Sequence, residues 1–153
     1  MSLKTYKAKR KFSGKEKTTE PEGKISKSKS KKIFVIHKHN ASHLHWDLRL
    51  EMDGVLKSWA VPKEPPTEKG TKRLAILVED HPLEYAKFHG TIPEGHYGAG
   101  TVEIWDSGTY ELKEKDKKKI EFTLFGKKMK GNFVLVKTRY GNKPEKSWLF
   151  FKV

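Results

Sequence analysis

The sequence predicts a mainly β fold: a compact antiparallel β-barrel with short helical turns, preceded by a flexible, basic N-terminal arm. Three observations carry this prediction. From Ile33 onward, apolar residues recur with a period of two in short stretches bounded by Gly, Pro, Asp and Asn, the pattern of half-buried strands. No repeated helical pattern alternates with these stretches, which argues for antiparallel pairing in a barrel or sandwich. Closing such a sheet on itself removes its exposed edges and favours the barrel.

The 153 residues suffice for one domain and one modest core, with no room for a second catalytic domain. The 33 Lys and Arg against 19 Asp and Glu give a formal net charge of +14, which calls for a polyanionic partner such as nucleic acid or an acidic membrane. No apolar run approaches the roughly 20 residues of a spanning helix, and no apolar block like a signal peptide lies near the start. A soluble, cytoplasmic protein with no membrane partner is therefore expected. Cysteine is absent, so disulfides, thiolate nucleophiles and Cys-ligated zinc are excluded, and any metal must be held by nitrogen and oxygen.

Residues 1–30 form the expected arm and residues 31–153 the expected barrel domain. The first 32 residues carry 12 Lys or Arg against three Glu, which is +9 of the net charge, with too few apolar groups to offset the entropy of ordering. The expected strands are Ile33–Lys38, Leu44–Glu51, Val55–Val61, Arg73–Glu79, Thr101–Trp105, Thr109–Leu112, Ile120–Phe125, Phe133–Thr138 and Trp148–Val153. Met52-Asp53-Gly54-Val55 is a hairpin signal, because Asp-Gly tolerates the positive φ angles of a type I′ turn. Asp106-Ser107-Gly108 reads as a weaker turn, and His81–Phe88 as a short helical turn. Trp46, Trp59, Trp105 and Trp148 each fall in an apolar strand pattern and are assigned to the core.

The chemistry is concentrated between His37 and Glu51. On a strand, Leu44, Trp46, Leu48 and Leu50 face the core while His45, Asp47, Arg49 and Glu51 share the opposite face. Residues at i and i+2 stand about 7 Å apart at Cα, so His45 and Asp47 can reach one metal between their tips. His39 precedes the Asn40–His43 turn, and a hairpin brings it alongside as a third ligand. Four histidines within nine residues are hard to reconcile with a merely solvated strand. His37 and His43 lie beside the best ligand geometry; His43 is assigned at most a role supporting a ligand. Arg49, next on the same face, can hold a phosphate or carboxylate through two hydrogen bonds, unless it pairs with Glu51.

At these residues the chain resembles a known family. Phe34-Val35-Ile36-His37-Lys38-His39-Asn40-Ala41-Ser42-His43-Leu44-His45-Trp46-Asp47-Leu48-Arg49-Leu50-Glu51 is similar to the start of the 3′-phosphoesterase module of DNA ligase D. The likeness continues through Gly54–Lys63, Arg73-Leu74-Ala75, Glu79–Tyr85, Ile92–Val102, Gly131–Val136 and Ser147–Lys152, essentially the whole folded region. It implies a barrel-like fold, Mn²⁺ dependence with other divalent metals open, and repair of nucleic acid 3′ ends during non-homologous end joining. Such modules remove a terminal 3′ ribonucleoside from a primer–template duplex to leave a 3′-phosphate, then convert the phosphate to a 3′-hydroxyl. The resemblance implies that His39, His45 and Asp47 bind the metal and that Arg49, His81 and Tyr85 engage the phosphate as catalytic residues. Lys63 and Arg73 match basic positions for substrate contact. Arg10-Lys11-Phe12 and Thr19-Glu20-Pro21 resemble two further elements, but Lys11 stands where the family usually has an acidic residue. The expected form is a stand-alone, prokaryotic, nucleoid-associated protein whose ligase and end-joining factors are separate chains.

Two rival readings are carried forward. His45, Asp47 and a remote His also match the two-His-one-carboxylate triad of a non-haem iron oxygenase, which the basic charge disfavours. A noncatalytic nucleic-acid-binding barrel would bind without metal and leave every end unchanged.

Overall fold

The computed structural model describes residues 32–96 and 99–153. The expected arm, with Arg10, Lys11 and Glu20, lies outside the described residues. Nine strands are found among them: β1 (Lys32–Asn40), β2 (Leu44–Met52), β3 (Val55–Val61), β4 (Lys72–His81), β5 (Gly90–Ile92), β6 (Gly100–Lys115), β7 (Lys119–Phe125), β8 (Lys130–Lys137) and β9 (Ser147–Lys152). They pair antiparallel in the order β1-β2-β3-β4-β9-β8-β7-β6, and β6 pairs back with β1 to close an eight-stranded barrel. The short β5 adds to the start of β6. Two meanders, β1–β4 and β6–β9, are thus sealed along β4/β9 and β1/β6. The chain between them carries a 3₁₀ turn at Leu83–Lys87.

Local chemistry accounts for the first meander. Asp53 and Gly54 adopt φ of 51° and 81°, so both central residues of the β2–β3 turn are left-handed, as a type I′ hairpin requires. Strict alternation then sends Trp46, Leu48, Leu50 and Met52 into the core. They meet Trp59, Tyr110, Phe122, Phe133 and Phe150, all fully buried. Each such side chain contributes about 1.5–3 kcal/mol by leaving water, so the barrel interior dominates stability. Trp46, Trp59 and Trp148 belong to this core, and Trp105 packs against it half-buried. The core assignment of the tryptophans holds.

Asp106-Ser107-Gly108 is not a turn. The two strands expected on either side of it are one, β6. Asp106 is buried, and its carboxylate accepts the backbone N–H groups of Lys127 (2.9 Å), Lys128 (3.0 Å) and Met129 (2.8 Å), organising the β7–β8 connection rather than one of its own. Gly108 lets β6 pass the Phe125 carbonyl at a separation that a Cβ would obstruct.

Candidate active site

The site is built on the outer wall of the first meander. In the β1–β2 hairpin, His39 stands opposite His45 and His37 opposite Asp47. Directly opposed residues share a face, so the alternation that buries Trp46 and Leu48 inside places His37, His39, His45, Asp47 and Arg49 together outside. On β3, Ala60 faces Asp47 and Ser58 faces Arg49. His81 joins them through an irregularity. Ser58 pairs with Val78 and Leu56 with His81, so two residues of β3 span three of β4. That slip turns His81 outward, whereas unbroken alternation from Val78 would have turned Asp80 outward instead. The expectation that His81 follows the strand is corrected, since it is the last residue of β4.

One ligand atom from each of His39, His45 and Asp47 lies within 4.8 Å of the others. Asp47 Oδ1 is 3.3 Å from His45 Nε2, and its Oδ2 is 3.7 Å from His39 Nδ1. His45 Nδ1 lies 3.0 Å from the His43 carbonyl. Donation to that carbonyl leaves Nε2 directed at the carboxylate. His43 thus holds the candidate ligand His45 through its backbone and not its ring, which is exposed. Burial works against ionisation of Asp47, but hydrogen bonding from His39 and His45 and the Arg49 charge hold its carboxyl well below the usual range. His45 is pushed up, first by its hydrogen bond to Asp47 and against its own burial. Two imidazoles and an ionised carboxylate form a nitrogen and oxygen donor set that fits a divalent transition metal.

Arg49 is only 3% exposed, and its hydrogen bonds account for the burial. Nε donates to His37 Nδ1 (3.0 Å), Nη1 to Ser58 Oγ (2.8 Å) and Nη2 to Asp47 Oδ2 (3.2 Å). Nη1 also lies 3.1 Å from His81 Nδ1, and the guanidinium carbon stands 5.0 Å from the centre of the Tyr85 ring. The Glu51 pairing considered above does not form: the Glu51 carboxylate accepts the Ile33 N–H at 3.0 Å. Burial, followed by the charge of Arg49, pushes both His37 and His81 down to about 4. His81 Nδ1 lies between the Arg49 guanidinium, which can only donate, and the Glu79 carbonyl at 3.2 Å, which can only accept. We assign it as acceptor from the closer, charged Arg49, which places its proton on Nε2.

These groups line a cavity of about 330 Å³. His39, His45, Asp47, Arg49, His81 and Tyr85 contribute its chemistry, with Ala60, Val78 and Ile92 as apolar wall. Tyr85 is carried by the 3₁₀ turn, its ring 4.8 Å from His81 and stacked on Phe88 at 4.9 Å. Six of the eight sequence candidates therefore meet in one cavity. Lys63 and Arg73 do not line it. Lys63 is exposed beyond β3, and Arg73 lies on the opposite face of β4 from Val78, its Nε donating to the Glu64 carbonyl at 2.7 Å. His96 lines a separate open cleft of about 550 Å³ with Asn40, Ser42 and Glu94, which meets the first at Ala41. Tyr97 lies outside the described residues. Sequence reasoning overlooked Ser58 and set His37 aside. The hairpin turn held the signal for Ser58, because pairing Met52 with Val55 brings Arg49 opposite Ser58.

The class defined here is a closed antiparallel barrel with a His–His–Asp metal-type cluster and a buried arginine on its outer wall. Residues 37–137 match the family described as the DNA Ligase D 3′-phosphoesterase domain, to which the chain belongs. It is 43% identical over 98% of its length to the multifunctional non-homologous end joining protein LigD of Pseudomonas aeruginosa, covering 18% of that protein. To the protein of the same name from Mycolicibacterium smegmatis it is 45% identical over 96% of its length, covering 20%. The chain thus spans about a fifth of the length of these relatives. Among the described residues, no helix is long and apolar enough to cross a membrane.

Proposed function

We propose that this protein is a metal-dependent phosphoesterase that processes nucleic acid 3′ ends for end joining. In this reading it removes a 3′-terminal ribonucleoside to leave a 3′-phosphate, then removes that phosphate to leave a 3′-hydroxyl. The observation that carries it is the single cavity in which the His–His–Asp cluster faces Arg49 and His81. Family membership supports it.

His39, His45 and Asp47 would hold the metal, Mn²⁺ in this reading, which when bound supplies Lewis-acid polarisation of a phosphoryl oxygen. The chain's own groups do the rest. Arg49 fixes a positive charge at the cavity wall, already oriented before substrate arrives, where it stabilises charge developing on nonbridging oxygens. His81 accepts from Arg49 at Nδ1 and offers Nε2–H as a donor to the phosphate or the leaving oxygen. Tyr85 backs His81, and Val78 and Ile92 restrict water beside the phosphate. Lys63 and Arg73 would meet the nucleic acid only outside the cavity. The +14 charge supports a polyanionic substrate. Any ligase that seals the processed end is a proposed partner.

The same donor set suits a non-haem iron centre, but a buried guanidinium beside it favours a phosphate ester over an oxidisable cosubstrate. The deciding experiment incubates the protein and Mn²⁺ with a labelled duplex ending in one 3′ ribonucleotide. Successive appearance of the 3′-phosphate and 3′-hydroxyl products is expected. Binding that leaves every end intact would establish the noncatalytic barrel instead.

A further inference from the structure

His37 stands two residues before His39 on β1 and is not among the three clustered ligands. Its side chain is fully buried. A polar ring in that position needs partners for both nitrogens. It has them: Nδ1 lies 3.0 Å from Arg49 Nε, and Nε2 lies 3.0 Å from the Phe88 carbonyl. Arg49 Nε can only donate and a carbonyl can only accept, so the two bonds specify one tautomer and one ring orientation. The ring also meets Tyr85 edge-on, with centroids 5.3 Å apart and planes at 68°. One imidazole therefore joins β1, the guanidinium on β2 and the chain around the 3₁₀ turn.

The geometry of Arg49 shows what this junction controls. A guanidinium is planar, and its nitrogens are held at three points, Nε by His37, Nη1 by Ser58 and Nη2 by Asp47. Without the Nε contact the plane can pivot, and its face no longer keeps a fixed relation to the cluster or to Tyr85. The same loss leaves the Phe88 carbonyl without this donor and frees the turn that carries Tyr85.

We propose that His37 is a positioning residue, holding Arg49 and the Tyr85–Phe88 segment in register with the His–His–Asp cluster so that a phosphate meets a preset guanidinium. This rests on the phosphoesterase reading and extends it to a residue that touches neither metal nor substrate. His37→Gln and His37→Leu in the full chain separate positioning from packing. A glutamine amide can accept from Arg49 Nε and donate to the Phe88 carbonyl, whereas leucine fills the space and can do neither.

At saturating Mn²⁺, His37→Leu is expected to lose about 100-fold in kcat, the scale of a misplacement near 1 Å, while His37→Gln stays within a few-fold of wild type. Affinity for Mn²⁺, followed by electron paramagnetic resonance, should be unchanged in both variants. Affinity for inorganic phosphate, read without turnover, should fall in the leucine variant alone. Equal loss in both variants, loss in neither, or a parallel loss of Mn²⁺ affinity would overturn the proposal. If wild type binds phosphate yet alters no 3′ end, the phosphoesterase reading fails while the phosphate arm still tests the positioning. Should the leucine variant not fold, the Arg49 Nε–H resonance decides: it should be protected from solvent exchange in wild type and in His37→Gln, and free exchange in wild type would refute the role.

Discussion

Arg49 and Ser58 face each other across β2 and β3, and the serine oxygen accepts Nη1 at 2.8 Å while passing its own hydrogen to the Leu56 carbonyl at 3.1 Å. Ser58 is fully buried, so no water can replace it without rearrangement. Ser58→Ala removes the acceptor and leaves a charged donor short of a partner. We expect a loss of about 1–3 kcal/mol in urea unfolding, with unchanged affinity for Mn²⁺. Ser58→Thr, which keeps the oxygen, should recover most of the stability. A silent Ser58→Ala would mean that the bond contributes nothing.

Substitutions of Asp47 and His45, two of the proposed metal ligands, should separate in stability although both are expected to abolish metal-supported turnover. As members of the outward face of β2 the two residues would be equally dispensable for folding, but their side chains are unequally buried. The Asp47 side chain is 7% exposed and paired with Arg49, whereas the His45 side chain is 24% exposed. Asp47→Ala leaves a buried guanidinium without its carboxylate, a change of about 3–5 kcal/mol. His45→Ala should fall nearer the cost of an ordinary half-exposed substitution. Denaturant unfolding in EDTA measures the difference, and equal losses would refute the unequal pairing.

Much of this site was legible because strand alternation and hairpin turns are local. The period of two from Leu44 to Glu51 separates Trp46 and Leu48 from Asp47 and Arg49, and Asp53-Gly54 sets the register that brings Ser58 opposite Arg49. What could not be read depends on contacts distant in sequence. Nothing in Val78-Glu79-Asp80-His81 marks the register slip that turns His81 outward, and a one-residue shift reverses every side chain beyond it. Asp106-Ser107-Gly108 has turn chemistry, but the Asp106 carboxylate is engaged by Lys127, Lys128 and Met129, more than twenty residues on. Arg73 carries the right charge on the wrong face of β4 for the cavity. Alternation also cannot tell a covered outer face from a wet one, so the burial of Arg49 became visible only with Tyr85 and Phe88 in place.

Acidification should destabilise the metal-free protein through His81. Its ring faces the Arg49 guanidinium on β2, the Tyr85 ring on the 3₁₀ turn and the Glu79 carbonyl on β4, with the Asp47 charge and the His37 ring in range. Burial, then the Arg49 charge, lowers it to about 4 from an ordinary value of about 6.5. Between those values the unfolded chain binds a proton that the folded protein does not, so stability is full above about 6.5, falls as pH drops through the window and levels off below about 4. His37 adds the same sign in the same window, whereas the raised His45 titrates above it and the lowered Asp47 below it. Urea midpoints in EDTA at several pH values from 7 to 4.5 should show the decline, shallower in His81→Gln. An identical slope in the variant would place His81 at an ordinary pKa.

Removing His81 should separate metal binding from turnover. His81 touches Arg49, Tyr85 and the Glu79 carbonyl, whereas the candidate metal cluster consists of His39, His45 and Asp47. His81→Ala is therefore expected to retain Mn²⁺ affinity and to lose about 100- to 10,000-fold in kcat for removal of the 3′-phosphate, the usual range for acid–base assistance. Its depressed pKa makes the free imidazole neutral at pH 7, so before substrate binds it can offer Nε2–H as a hydrogen-bond donor but carries no spare proton. A dianionic phosphate close to Nε2 would raise that pKa and convert the donor into an acid. Substrates with progressively better leaving groups tell the two roles apart. If proton donation to the leaving oxygen is the contribution, the deficit of His81→Ala should shrink as the leaving group's pKa falls, because the assistance becomes unnecessary. If the contribution is a hydrogen bond to a nonbridging oxygen, the deficit should stay constant across the series. Loss of Mn²⁺ affinity comparable with that of His45→Ala would defeat both roles and move His81 among the ligands.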